Sequence, residues 1–251
     1  MMLQNLQFLD LTLDMNNCDK VCLIKQPIGI GDVFYLQKFA HILKESGYEI
    51  IWPLRDDILW IRDYVDGISF CPLSENFIGK EYYYSGEFVI DKDNFLFLSP
   101  DGLQFPGKRI MESKYLLINQ TDENWYDYFN FNRKLDKENN LYYNVLGLTD
   151  ESEYVFINKM ASVDPKSSNV LDNFTFDFPV IELKIIEGFT MFDWCKVFEN
   201  AIEIHTVHTG INYVIDKLNL KANEYNMYQG LHSSDVQYIP FSKNPKFILN
   251  P

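Results

Sequence analysis

A chain of 251 residues that is 47% hydrophobic and 23% charged carries enough apolar material for one large domain or two small ones, and its composition excludes intrinsic disorder. A net charge of −14 argues against nonspecific nucleic-acid binding and against anionic membrane surfaces; an anionic small ligand would need local positive groups. No segment approaches the roughly 18 consecutive apolar residues of a membrane span, and Met1 to Asp14 lacks the basic and apolar regions of a secretion signal.

The four cysteines, Cys18, Cys22, Cys71 and Cys195, form no Cys-x-x-Cys pair, which disfavours a zinc site or a disulfide framework and suits a reducing, cytoplasmic setting. In such a setting the sequons at Asn119 and Asn173 carry no meaning. Heavy use of Asn, Lys, Ile, Phe and Tyr is consistent with an AT-rich genome, viral ones included. Aromatic residues, 16% of the chain, serve equally to stiffen a core or to line a pocket.

Taken in order, Val21 to Ile24 is a short apolar run of the kind that forms a strand buried on both faces. Pro27 to Gly31 reads as a turn. Val33, Leu36, Phe39, Ala40 and Leu43 recur at helical spacing, and Ser46-Gly47 supplies the stop. Glu49 to Pro53 is a second strand, so the opening is a βαβ unit, which predicts a parallel sheet with a right-handed crossover. Asp57 to Tyr64 reads as helical. Residues 81 to 98 read as three short strands around Tyr82 to Tyr84, Phe88 to Ile90 and Phe95 to Leu98. Trp125 to Leu146 is a long helical stretch broken near Asn130 to Asn132.

Gly147 to Glu153 has the polar, turn-rich character of a linker, which sets the expected domains at 1–150 and 151–251. In the second half, Tyr154 to Ile157 and Val180 to Leu183 are short strands. Thr190 with Asp193 makes a capping box for the next helix. Ala201 to Val207 is a further strand, and Thr209-Gly210 opens a helix carrying Ile211, Val214, Ile215 and Leu218. The fold class expected is therefore α/β, with two Rossmann-like lobes facing a cleft and a shortened second lobe.

Gly29-Ile30-Gly31-Asp32 joins a strand to a helix. Glycines there let backbone N–H groups approach a ligand, and a helix start favours an anion. A dinucleotide fingerprint would need a third glycine at position 34, where the chain has Phe34. On local evidence Asp32 reads equally as a helix N-cap or as a functional carboxylate.

Gly31-Asp32-Val33 after a first buried strand resembles the start of the heptosyltransferase type of glycosyltransferase (glycosyltransferase family 9, GT-B fold). The resemblance implies that Asp32 is the general base that deprotonates an acceptor hydroxyl, with Gly29 and Gly31 on the acceptor side. Val207-His208-Thr209-Gly210 resembles that family's Val-Asp-Thr-Gly donor loop, with His208 standing where the family has aspartate. It implies that Lys159, His208, Thr209, Gly210 and Asn212 hold a nucleotide-sugar diphosphate.

An inverting transfer needs a base at the acceptor and positive or dipolar groups around the departing diphosphate. No Asp-x-Asp has a strand-end placement suited to a divalent ion, so the expected chemistry needs neither metal nor cofactor. His205 and His208 share His-x-x-His spacing without a third ligand, and His205 reads better as a packed core histidine. Arg133 is a further cleft candidate, although an arginine among aromatics more often makes an ion pair. Lys108-Arg109 and the run to Lys114 form another basic cluster on the acceptor side. The competing readings are a nucleotide-sugar epimerase on the same fold and a non-catalytic sugar- or nucleotide-binding module.

Overall fold

The computed structural model describes residues 20–160, 171–172, 174–228 and 247–250. Cys18, Asn173 and the segment Met1 to Asp14 lie outside them. The chain divides into two compact units, Met1–Asn132 and Arg133–Pro251.

In the first unit, β1 (Lys20–Ile24) pairs in parallel with β2 (Tyr48–Leu54) on one side and with β5 (Phe95–Leu98) on the other. β3 (Ser69–Pro72) extends the sheet beyond β2, and β4 (Val89–Lys92) adds an antiparallel edge beyond β5, giving the order β3-β2-β1-β5-β4. The apolar runs of β1 and β5 are buried because helices and aromatic side chains cover the sheet.

The expected helix starts three residues earlier than its apolar pattern suggests. α1 (Ile30–Tyr35) and α2 (Gln37–Glu45) are separated only at Leu36. Together they bury Val33, Phe34, Phe39, Ala40 and Leu43. Aromatic rings interlock behind them: Phe34 stacks on Phe129 with centroids 4.7 Å apart, and Tyr35 lies 4.4 Å from Trp125. In this unit much of the aromatic content is core.

Two readings of the first half change. The helical stretch at 57–64 narrows to a short 3-10 helix, Leu59–Asp63. Tyr82 to Tyr84 form no strand: Lys80–Tyr82 is a 3-10 turn after which Tyr83 packs down on Leu23 and Phe97. A single turn buries one tyrosine over the sheet, whereas a strand would need a pairing partner.

α3 (Ile110–Leu116) follows β5, and α4 (Trp125–Tyr128) follows α3. The chain then runs extended, with the Asn130 N–H donated to Gln37 Oε1 and the Asn132 N–H to the Tyr64 carbonyl at 2.6 Å. Those bonds draw amides out of the helical pattern, and the two units meet in sequence there rather than at 150/151. α5 (Leu135–Asn139) and a π-helical turn (Asn140–Val145) belong to the second unit. So does 147–153, a turn rather than a linker, folded back by the Tyr142 hydroxyl on the Thr149 carbonyl at 2.9 Å.

The second unit is a parallel sheet in the order β10-β9-β8-β6-β7, from β6 (Val155–Asn158), β7 (Val180–Glu182), β8 (Glu203–Val207), β9 (Glu224–Tyr228) and β10 (Phe247–Asn250). Thr190 and Asp193 form the expected capping box; a 3-10 turn follows and leads into α6 (Cys195–Asn200). α7 (Ile211–Asp216) connects β8 to β9.

Candidate functional site

In an open parallel sheet, ligands gather beyond the carboxyl ends of the strands where the connections leave in opposite directions. In the first unit that point lies at the end of β1, between β2 and β5. The Pro27–Gly31 turn and Asp32 occupy it. Gly29 is the N-cap of α1 at φ 81, so Asp32 is not the cap but sits in the first helical turn, where a carboxylate suits the helix dipole. A β-carbon on Gly29 would stand 2.3 Å from Asp32 Oδ2. Glycine is required twice there, by its φ and by the carboxylate lying over its α-carbon.

Asp32 is held from an unexpected quarter. Lys114, on α3, donates from Nζ to Asp32 Oδ1, and donates to Gln26 Oε1 at 2.7 Å. The ammonium is buried, with 3% of its side chain exposed, whereas Asp32 keeps 29%. Gln26 is locked in turn: its Nε2 donates to the Ile28 carbonyl at 2.8 Å, and its carbonyl accepts Trp52 Nε1 at 2.9 Å. Among the described residues Asp32 Oδ2 accepts no hydrogen bond. The carboxylate is therefore half tethered and half open.

The basic cluster of the first unit separates on folding. Lys114 points inward to Asp32, Lys108 pairs with Glu112, and Arg109 Nη2 reaches Asp122 Oδ2 at 2.9 Å. The Tyr35 hydroxyl shares that carboxylate, which together with burial pushes the phenol far above its usual range. Asp91 and Lys92 end the antiparallel edge strand β4, paired with Leu96 and Phe95, and Asp93 follows in the turn to β5, away from the carboxyl end of β1.

In the second unit β6 lies between β7 and β8, so the loops that end β6 and β8 flank the divergence point of that sheet. Lys159 follows β6, and Val207 to Gly210 close β8. Lys159 Nζ pairs with Asp172 Oδ1 at 2.7 Å, which raises its pKa. His208 is exposed on the loop, its backbone N–H bonded to the Tyr228 carbonyl at 3.0 Å. Thr209 Oγ1 accepts the Ile211 N–H at 3.3 Å, leaving its own proton to donate. Gly210 takes an ordinary helical conformation at the head of α7.

Asn212, expected to touch a donor, is fully buried and serves the loop instead. Its Oδ1 accepts the Thr209 N–H at 3.2 Å, and its Nδ2 donates to Thr206 Oγ1 at 2.7 Å. Arg133, expected as a cleft residue, opens the second unit and is spent on carboxylates. Nε lies 2.9 Å from Glu138 Oε1, and Nη1 lies 2.7 Å from Glu199 Oε1, with a second contact to each.

His205 is the packed histidine its position implied. Nδ1 is 3.0 Å from the Tyr228 hydroxyl and Nε2 is 3.3 Å from Glu203 Oε2, while the ring of Phe176 lies 4.9 Å away. Burial lowers its pKa against the opposing pull of Glu203.

Sequence pattern missed Lys114 and Gln26 as partners of Asp32. A lysine within a short helix carries no periodic signal of facing inward; only its apolar neighbours Tyr115 and Leu116 hinted at it.

Two doubly wound α/β units, each with loops at the divergence point of its sheet, define a two-lobed Rossmann-like fold, as expected. No protein-family model matches the sequence, and no curated protein does. Among solved structures the chain is similar to the iron-containing dodecameric glycosyltransferase TibC from enterotoxigenic E. coli H10407, with a TM-score of 0.51 and 11% identity over 94% of this chain and 64% of that one. It is also similar to a family 9 glycosyl transferase from Veillonella parvula DSM 2008, with a TM-score of 0.49 and 10% identity over 84% of this chain and 80% of that one. E. coli heptosyltransferase WaaC, solved with ADP-2-deoxy-2-fluoro heptose, gives 0.44 and 10% over 91% and 92%. The likeness to TibC, of whose length this chain spans just under two thirds, is one of fold.

Proposed function

We propose that this protein is a glycosyltransferase that moves a sugar from a nucleotide-sugar to an acceptor hydroxyl, with inversion and without a metal. The observation that carries the reading is Asp32: a carboxylate at the divergence point of its sheet, one oxygen held and the other open. The acceptor O–H gives its proton to Asp32 Oδ2. The acceptor oxygen then bonds to the anomeric carbon as the bond to the diphosphate breaks, and the diphosphate leaves with the electron pair. Lys159, the Thr209 hydroxyl, the Gly210 N–H and His208 supply the positive and dipolar groups that receive it. Lys159 first exchanges Asp172 for phosphate, trading one anionic partner for another at a partly exposed ion pair.

A panel of nucleotide-sugars screened by thermal shift tests the donor side, since stabilisation rises with ligand concentration over its dissociation constant. A cognate donor raises the melting temperature, and no shift with any member refutes the reading. With a donor in hand, Asp32→Asn leaves the shift intact and cuts transfer to a small residual rate. Loss of binding in that variant makes Asp32 structural instead. A product that keeps its nucleotide while the sugar changes configuration identifies the epimerase.

A further inference from the structure

We infer that Lys114 is a positioning residue for the reaction: it fixes Asp32 Oδ1 so that Oδ2 alone is presented to the acceptor hydroxyl. The inference rests on the reading of Asp32 as base and adds a residue, and a choice of carboxylate oxygen, to it.

A lysine ammonium with 3% of its side chain exposed is costly to bury unless its donors find acceptors. Lys114 finds two, Gln26 Oε1 and Asp32 Oδ1. The first is not adjustable. Gln26 is itself buried, and its amide nitrogen is committed to the Ile28 carbonyl, so its oxygen must face the lysine. The Trp52 indole fixes the Gln26 backbone from β2. Trp52, Gln26 and Lys114 thus form a rigid chain through the core, and Asp32 is its solvent-facing end.

A lysine serving only to anchor α3 would need no half-open carboxylate at the end of that chain. Tyr115 already anchors α3 by donating its hydroxyl to the Tyr35 carbonyl at 2.6 Å. What the lysine adds is torsional: with Oδ1 taken, the carboxylate plane is set and Oδ2 rests over Gly29. Misplacing a reacting atom by about 1 Å can cost on the order of 100-fold in rate.

The test uses the full-length protein with whichever nucleotide-sugar the thermal-shift panel selects, measuring donor dissociation constant, acceptor KM and kcat. Lys114→Met keeps the stem and removes the donor. It should leave the donor dissociation constant within about twofold and lower kcat by roughly 10- to 100-fold, with acceptor KM changed less than about threefold. Asp32→Asn combined with Lys114→Met should be no slower than Asp32→Asn alone, because a positioning residue has nothing to act on once the base is gone. A structural lysine would slow both backgrounds by the same factor.

Should Lys114→Met fail to fold, Gln26→Met loosens the seat while keeping the ion pair, and should lower kcat by roughly 3- to 10-fold at unchanged donor binding. Unchanged kcat in whichever variant folds, or full additivity in the double variant, overturns the inference. A wild type that binds donor yet transfers nothing overturns the reading of Asp32 as base, and the positioning role with it. That outcome is distinguished by the silence of the wild type itself.

Discussion

Replacing Gly29 by alanine separates a backbone requirement from a functional one. At φ 81 an alanine pays for the left-handed conformation, about 1–2 kcal/mol. Its β-carbon would also lie 2.3 Å from Asp32 Oδ2, where ordinary contact begins at 3.4 Å, so the carboxylate must retreat by about 1 Å. That retreat stretches the bond from Lys114 and leaves a buried ammonium short of an acceptor, a further cost of about 1–3 kcal/mol. Gly86 is the internal control. Its φ is 79, and a β-carbon there meets nothing within 4 Å, so Gly86→Ala carries only the first cost. Urea unfolding followed by tryptophan fluorescence should therefore show Gly29→Ala less stable than Gly86→Ala by about 1–3 kcal/mol. Transfer should fall by about 100-fold in Gly29→Ala and stay unchanged in Gly86→Ala, with donor binding intact in both. Equal stabilities, or full transfer activity in Gly29→Ala, would refute the idea that Asp32 is held against this glycine.

Three further outcomes follow from the second unit. Arg133→Met leaves Glu138, which is fully buried, without its bidentate partner, and should destabilise by about 3–5 kcal/mol in urea, while donor affinity stays the same. Burial holds the folded-state pKa of His205 below its ordinary 6.5, so as pH falls the unfolded chain takes up the proton first. Its contribution to stability is complete above about pH 6.5 and is lost as pH drops through the folded-state value. Melting curves at about pH 7.5 and 5.5 should show a smaller acid loss for His205→Gln than for wild type. Asp172→Asn releases Lys159 at a cost below about 1 kcal/mol and should tighten donor binding about threefold. Weaker binding in that variant would remove Lys159 from the phosphate site.

The strands that place the site were legible because buried parallel strands announce themselves as unbroken apolar runs, as Val21 to Ile24 does. The turn at Gly29 and the capping box at Thr190 were legible because each is local chemistry within a few residues. The division between the units was not. Gly147 to Glu153 looks like a linker by composition, yet Tyr142 closes over it, while the division after Asn132 follows a stretch held by Gln37 and Tyr64, which are distant in sequence. The same distinction governs the site. Asp32 and the loop at Thr209 were singled out as candidates from local pattern, whereas burial of Asn212, the spending of Arg133 on Glu138 and Glu199, and the seat of Lys114 are tertiary facts.

The bonds that orient Asp32 join residues 82 positions apart, and those that seat Lys114 span 88. The glycine turn can form as soon as its own few residues leave the ribosome. Its carboxylate acquires a fixed direction only after β5 has docked beside β1 and α3 has been synthesised and packed. Loop closure over that span is slow compared with helix formation. A nascent or partly folded chain therefore displays the motif without its geometry, so a correctly aimed Asp32 is a late product of folding and a marker that the whole first unit is complete.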